Sequence, residues 1–144
     1  MTAIALDLEV LGDTRPLWEA FLVDVSRRAQ VDPERLEEEL PNWRALLERF
    51  AEDHAPVYLR PSAPATAALR RLHGDGVRIG AFTDAPEELA RVALAHLAGT
   101  RRIELLEAGP GALDRLLERL PGARVVRTLA ELDTSGDSPR TGPH

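Results

Sequence analysis

The fold is decided by the stretch "AIALDLEVLGDTRPLW" (Ala3–Trp18), in which an apolar run ends in acids and a helical pattern follows. The run Ala3–Leu8 is short, rich in Ile and Leu, and closed by acids and a glycine, which is typical of a buried β-strand. From Asp13 onward apolar residues recur at helical spacing, and Pro16 suits the first turn of a helix. The stretch predicts a strand followed by a helix. It leaves open whether Asp7 is a nucleophile at the end of that strand or the remnant of one.

The rest of the chain alternates strand and helix patterns. Further strands are predicted at Val77–Phe82, Arg102–Leu106 and Ala123–Arg127, with amphipathic helices between them. Alternation of this kind needs crossover connections, which bring the strands into a parallel sheet. We therefore expect an α/β fold with a Rossmann-like parallel sheet of about four strands flanked by helices.

A long helical insertion separates the first two predicted strands. Residues 13–54 form this insertion, which is predicted to be a small helical cap over one end of the sheet and to bury Trp43 and Phe50. Residues 1–12 and 55–132 form the core, so that 1–132 is expected to be one domain. Residues 133–144, a polar Ser, Gly and Pro segment, are predicted to be a flexible tail.

Composition excludes several classes of site. The chain has 144 residues, a net charge of -6 and no cysteine, so that disulfides, thiolate metal sites and a nucleic-acid footprint are not expected. All 18 basic residues are arginines, which excludes any mechanism that requires a lysine. No run is long enough to span a membrane, so we expect a cytoplasmic protein with no membrane partner.

Polar side chains cluster where two predicted strands end. Asp7 and Glu9 follow the first strand, and Thr83 and Asp84 follow the second. Ligands of open α/β sheets bind at the carboxyl ends of the strands, so these four residues mark the expected site. Asp84 is also a natural N-cap for the next helix, and the amides of a helix start can bind an anion.

With these residues in place, the chain resembles the haloacid dehalogenase-like (HAD) superfamily over roughly residues 3 to 130. The stretch "ALDLEVLGDTRPLW" is similar to the first motif of that family, and "RIGAFTDAPEEL" to the second. The resemblance implies that Asp7 is the nucleophile and a ligand of Mg²⁺, and that Glu9 is the acid–base residue. It also implies that Thr83, with Asp84, binds the phosphoryl group. By the same resemblance the first strand lies between the second and the fourth.

The chain departs from the family pattern at the groups that carry positive charge and metal. Gly109 stands where the resemblance requires a lysine, and the fourth strand ends in Arg127 and Thr128 instead of acids. Asp7 and a phosphate would then face each other unshielded. Two unit charges about 4 Å apart repel by about 4 kcal/mol at an effective dielectric constant of about 20.

Two functions follow from the resemblance and its departures. The first is a degenerate HAD-like domain without efficient phosphohydrolase activity, acting as a binding or regulatory module for a small molecule or protein and needing no cofactor. The alternative is a weak HAD-type hydrolase of a small phosphomonoester, with Asp7 as nucleophile and Mg²⁺ as cofactor. The missing lysine and acids favour the first.

A further hypothesis concerns Arg127. Since the fourth strand is expected beside the first, Arg127 is placed close to Asp7, where a catalytic relative would hold its metal. A bidentate guanidinium–carboxylate pair would then replace the ion by an internal cation. The other possibility is that Arg127 points to solvent.

Overall fold

The computed structural model describes residues 2–97 and 101–134, which form a three-layer α/β structure with an all-parallel, Rossmann-like sheet. The strands are β1 (Ala3–Asp7), β2 (Arg78–Thr83), β3 (Leu105–Ala108) and β4 (Arg124–Val126). The helices are α1 (Arg15–Arg28), α2 (Leu36–Glu39), α3 (Trp43–Tyr58), α4 (Ala63–Gly74), α5 (Glu87–Leu97), α6 (Ala112–Arg119) and α7 (Leu129–Thr134), with short 3-10 helices at Leu8–Val10 and Pro33–Arg35.

The sheet has the strand order β3-β2-β1-β4, so the predicted place of the first strand between the second and the fourth is confirmed. Asp7 pairs with Phe82 of β2, and Phe82 in turn pairs with Glu107 of β3. On the other side Leu6 pairs with Val126 of β4. The central strand β1 is therefore covered along both edges, and the carboxyl ends of all four strands meet at one edge of the sheet.

One face of the sheet carries the larger core. The core residues Ile4, Leu6 and Val126 of the sheet pack there with helices α1, α3, α4, α5 and α7. Helix α3 contacts both α1 and α5, so the helical insertion shares a continuous hydrophobic core with the sheet. Trp43 is buried as predicted, while Phe50 is half-buried and its ring contacts Phe21.

Two ion pairs join the insertion to α5 from outside this core. Arg44 of α3 pairs with Glu88 at 3.0 Å, and Glu48 pairs with Arg91 at 3.2 Å. Exposed pairs of this kind contribute only about 0.2–1 kcal/mol each. The apolar contact between α3 and α5 is therefore the main interaction that fixes the insertion against the sheet.

The opposite face of the sheet is covered by α6 alone among the described helices. Ala5 and Phe82 of the sheet pack there against Ala112, Leu116 and Leu120. Asp7 lies on this face, because it is two residues after Ala5 and side chains two residues apart in a strand point to the same side. Its pairing partner Phe82 and the partner of Phe82, Glu107, lie on the same face. The row of side chains at the carboxyl edge is thus built on the α6 side.

Several element boundaries differ from the predicted ones. Helix α3 continues past the predicted end near Asp53 to Tyr58, since Ala51 and Ala55 extend its buried face. The third strand is Leu105–Ala108 and not Arg102–Leu106, because its pairing partners are Gly80–Thr83 of β2.

Helix α7 was not predicted, and it includes the first two residues of the segment that was predicted to be a flexible tail. Asp133 and Thr134, assigned from sequence to the flexible tail, form its last turn, and Leu132 is buried. The Asp133 carbonyl accepts a hydrogen bond from Arg71 at 2.8 Å. The remaining tail residues, 135–144, lie outside the described residues. In residues 2–97 and 101–134, no helix combines the length and apolar character needed to cross a membrane.

Helix α6 packs closely against the sheet at Gly80. A Cβ atom at Gly80 would lie 2.7 Å from Leu116 Cδ1 and 2.8 Å from Leu120 Cδ1. We predict that Gly80→Ala lowers the free energy of unfolding by about 1–3 kcal/mol, because α6 must shift or change rotamers. Urea denaturation provides the measurement. Gly74→Ala is the control, since a Cβ atom there meets nothing within 4 Å; equal losses in both variants would contradict the close packing of α6.

Candidate functional site

A cavity of about 1130 Å³ lies between the carboxyl edge of the sheet and the helical insertion. Each strand contributes at its carboxyl end: Asp7 from β1, Thr83 from β2, Ala108 from β3 and Arg127 just beyond β4. The insertion provides the opposite wall with Trp18, Leu36, Trp43 and Arg44, among others. The structure thus brings Asp7, Glu9, Thr83, Asp84 and Arg127, the residues singled out in the sequence, to the lining of one cavity.

Asp7 has one engaged and one free carboxylate oxygen. Its Oδ1 accepts a hydrogen bond from the Glu9 amide at 3.0 Å and caps the 3-10 helix Leu8–Val10. Within the described chain its Oδ2 has no hydrogen-bond partner, and no arginine nitrogen lies within 4 Å of the carboxylate. Asp7 is therefore half-buried at the cavity without a cation beside it.

Glu9 lines the cavity, but Thr14 engages both of its oxygens. The Thr14 amide donates to Oε2 at 2.8 Å and the Thr14 hydroxyl donates to Oε1, so that Glu9 caps the start of α1. Burial raises the pKa of Glu9, the two Thr14 hydrogen bonds oppose this, and the nearby Asp13 carboxylate raises it further. Glu9 therefore acts as a cap of α1, and its carboxylate binds a proton more tightly than an ordinary glutamate does.

Thr83 and Asp84 occupy the end of β2 in different environments. Thr83 is buried, and its hydroxyl oxygen accepts a hydrogen bond from the Ala85 amide at 3.2 Å. Asp84 is exposed. The prediction that Asp84 is an N-cap is wrong: α5 begins at Glu87, and its first helical carbonyl, that of Pro86, accepts from Ala90. The hydrogen bond between the Thr83 hydroxyl and the Ala85 amide forms a turn at Thr83–Ala85, so the helix begins after it.

The β3–α6 loop contains Gly109, which stands where the resemblance requires a lysine. An arginine from α6 reaches this loop: Arg115 donates to the carbonyls of Ala108 at 2.6 Å and Pro110 at 2.5 Å. Its Nε donates to Glu107 at 2.9 Å. Sequence reasoning missed Arg115. Its position about one helical turn after Gly111 is the signal that could have found it, since that distance returns a side chain to the loop.

Glu107 sits between two arginines and ties them to β3. Arg119 donates to Glu107 Oε2 at 2.7 Å, and Arg115 to Oε1. These hydrogen bonds, first that of Arg119 and then that of Arg115, lower the pKa of Glu107. The Gly109 amide donates to the Thr83 carbonyl at 2.9 Å, which fastens the loop to β2. The charge of Arg115 is thus already balanced by a carboxylate.

Arg127 does not form the ion pair with Asp7 that the sequence suggested. Its guanidinium lies over the Phe82 ring, 5.3 Å from the ring centroid, and its backbone amide donates to Glu131. The guanidinium thus lies against the aromatic face and not against the Asp7 carboxylate. Arg127 is exposed and lines the same cavity as Asp7.

The wall opposite the sheet is aromatic. Trp18 and Trp43, the two tryptophans of the chain, both line the cavity and contact each other edge to face at 6.2 Å between centroids. The guanidinium carbon of Arg44 lies 4.5 Å from the centroid of Trp43. Because no other tryptophan exists, tryptophan fluorescence reports on this wall alone.

Among residues 2–97 and 101–134, the side chains at this edge do not fit the magnesium site that the resemblance implies. Across the described ranges, no three His, Asp or Glu side chains come together in a way that could hold a metal ion. Both Glu9 oxygens are engaged by Thr14, and the positive Arg127 stands where acids would be required.

Comparison of the chain with known protein families, with curated proteins and with solved structures found no match in any of the three.

The role of Glu9 as a helix cap leads to a prediction with a pH dependence. Glu9→Ala leaves the Thr14 amide without its acceptor and should lower the free energy of unfolding by about 1 kcal/mol. Glu9→Gln should cost less, since its carbonyl can accept from the amide while the Thr14 hydroxyl reverses to accept from the side-chain nitrogen.

The pH dependence of the same residue has a definite sign. The pKa of Glu9 is raised in the folded state above its ordinary value of 4.5, so the folded protein binds the proton more tightly. Native stability relative to Glu9→Gln should therefore fall as pH rises from 4.5 through the folded pKa. Urea denaturation of both proteins between pH 4.5 and 7 measures this difference; an increase with pH would contradict the burial of a charged Glu9.

The Arg115 contacts predict local loosening of the loop. Arg115→Ala removes the donors to two loop carbonyls, so amide hydrogen exchange at Gly109 should accelerate, with a loss of about 1 kcal/mol in unfolding free energy. Arg119→Ala is the matched control, because Arg119 shares Glu107 but makes no hydrogen bond to the loop. Equal acceleration in both variants would show that Glu107, and not Arg115, holds the loop.

Proposed function

We propose that this chain is a degenerate HAD-like domain that binds a small molecule in the strand-end cavity and lacks efficient phosphohydrolase activity. The observation that carries the proposal is the state of Asp7. Its carboxylate faces the cavity with one oxygen free, yet within the described residues no arginine forms an ion pair with it. The helical insertion is, in this proposal, the cap of the HAD-like fold.

Electrostatics favour binding over phosphoryl transfer. A phosphate dianion approaching Asp7 to about 4 Å meets a repulsion of about 4 kcal/mol for each pair of unit charges at an effective dielectric constant of about 20. Transfer needs a positive group aimed at the phosphoryl oxygens to offset this repulsion. Two arginines lie at this edge of the sheet. Arg115 donates to Glu107 and to two loop carbonyls, and Arg127 is exposed with its guanidinium over the Phe82 ring.

The acid–base part of hydrolysis is also disfavoured. Glu9 stands in the acid–base position, but Thr14 donates to both of its oxygens. To protonate a leaving group, Glu9 would have to break its contact with the start of α1. Binding requires no such rearrangement.

The cavity has the properties of a small-molecule site. Its volume of about 1130 Å³ accommodates a ligand larger than an ion, and its lining combines three aromatic side chains with twelve charged ones. It lies at the carboxyl edge of a parallel sheet, where ligands of such folds bind. The chemical diversity of the lining supports a module that recognises an organic molecule.

The alternative function, a weak hydrolase of a small phosphomonoester, is favoured by one observation. The free Oδ2 of Asp7 and the end of β2 at Thr83 line the same cavity on adjacent strands. In this alternative Asp7 attacks phosphorus and Thr83 contacts the phosphoryl oxygens.

Turnover separates the two functions. Phosphate release from a panel of phosphomonoesters is measured with and without Mg²⁺ for the native protein, for Asp7→Asn, and for Asp53→Asn, which changes an exposed acid of α3 away from the cavity. We predict no turnover above background in any of the three. Turnover that is lost in Asp7→Asn and kept in Asp53→Asn would replace the binding proposal by the hydrolase.

A further inference from the structure

Arg127 reaches across the carboxyl end of the central strand. Leu6 pairs with Val126, and continuing this parallel register by one residue sets Arg127 beside Asp7. Strand β1 separates β4 from β2, yet the guanidinium of Arg127 lies over the ring of Phe82 on β2. The side chain therefore extends over the end of β1 and brings its charge to the centre of the edge that lines the cavity.

Arg127 is also distinguished by its partners. Five arginines line the cavity, and four of them pair with a carboxylate at 3.2 Å or less: Arg15 with Asp13, Arg35 with Glu38, Arg44 with Glu88, and Arg115 with Glu107. Among the residues that the structure describes, none offers a carboxylate to the Arg127 guanidinium within 4 Å. A ring face beneath a guanidinium fixes its plane and leaves the N–H donors at its rim unoccupied.

We infer that Arg127 is the residue that recognises the ligand, and that the group it binds is a carboxylate of a small organic molecule. This inference rests on the proposed binding function. The planar fork of a guanidinium matches a carboxylate through two parallel hydrogen bonds. These two hydrogen bonds need no metal ion. Because acids lie beside Arg127, the charge of the anion affects how tightly it binds.

The acids of the lining discriminate by charge between the two common oxyanions. A phosphate dianion is repelled by Asp7 twice as strongly as a carboxylate monoanion, but it is also attracted to Arg127 twice as strongly, so these two effects offset each other at similar distances. The discrimination comes from the excess of acids in the lining, which holds seven acids, the exposed Asp84 among them, and five arginines. A monoanion therefore gains from Arg127 without the larger repulsion.

The apolar side chains next to Arg127 indicate that the rest of the ligand is apolar. Phe82 lies beneath the guanidinium, Leu113 of α6 lines the cavity, and Trp18 forms part of the opposite wall. A carboxylate carrying an alkyl or aryl group would place its charge on Arg127 and its apolar part between these side chains. Burying each methylene group there contributes about 0.8 kcal/mol.

Three matched probes test the inference: hexanoate, hexanamide and hexyl phosphate. None of them fluoresces, and both tryptophans line the cavity, so each is titrated against the intrinsic fluorescence of the full-length native protein. We expect hexanoate to bind more tightly than the neutral amide and the phosphate. Arg127→Gln should weaken hexanoate binding about tenfold or more and leave hexanamide binding unchanged.

Arg124→Gln is the matched control, because Arg124 is an exposed arginine of β4 that does not line the cavity. It should bind hexanoate as the native protein does, and thermal melts of both variants establish that they are folded. Three results would overturn the inference: tighter binding of hexyl phosphate, unchanged hexanoate binding in Arg127→Gln, or no fluorescence response to any probe. None of these produces phosphate release, so the turnover assay judges the proposed function separately.

Discussion

The parallel pairing of β1 with β2 on one side and β4 on the other is the constraint on which the rest of the structure depends. It covers both edges of the central strand and aligns four strand ends, so that Asp7, Phe82 and Glu107 lie in one row with Arg127 reaching into it. The helical insertion is fixed above this row by the apolar contact of α3 with α5. The cavity is a consequence of these two packings.

The electrostatic character of the cavity follows from a chain without lysine. A guanidinium makes several directional hydrogen bonds, and at this site most arginines use them on carboxylates and carbonyls of the protein itself. Arg115 illustrates the effect, because its guanidinium is occupied in holding the β3–α6 loop. In the part of the chain that the structure describes, neither the Asp7 carboxylate nor the Arg127 guanidinium has an ion-pair partner.

The sequence predicted the features that depend on local pattern. The α/β class, the parallel sheet and the gathering of Asp7 and Thr83 at one edge follow from apolar runs and from where they end. Features set by competition between partners were not predictable. The Thr83 hydroxyl takes the Ala85 amide and displaces the helix start from Asp84, and the Phe82 ring takes the guanidinium expected at Asp7. The first outcome is a local turn between residues two positions apart, and the second depends on a side chain from another strand; periodicity encodes neither.

The most direct measurement of the central claim, that Asp7 is not a phosphoryl acceptor, is the mass of the intact protein after incubation with acetyl phosphate and Mg²⁺. Acetyl phosphate supplies an activated phosphoryl group without any need for substrate recognition, so the experiment isolates the chemistry of the carboxylate from the specificity of the cavity. We predict an unmodified mass, because no arginine forms an ion pair with the Asp7 carboxylate in the described structure. A phosphoryl adduct that forms on the native protein and is lost in Asp7→Asn would contradict it.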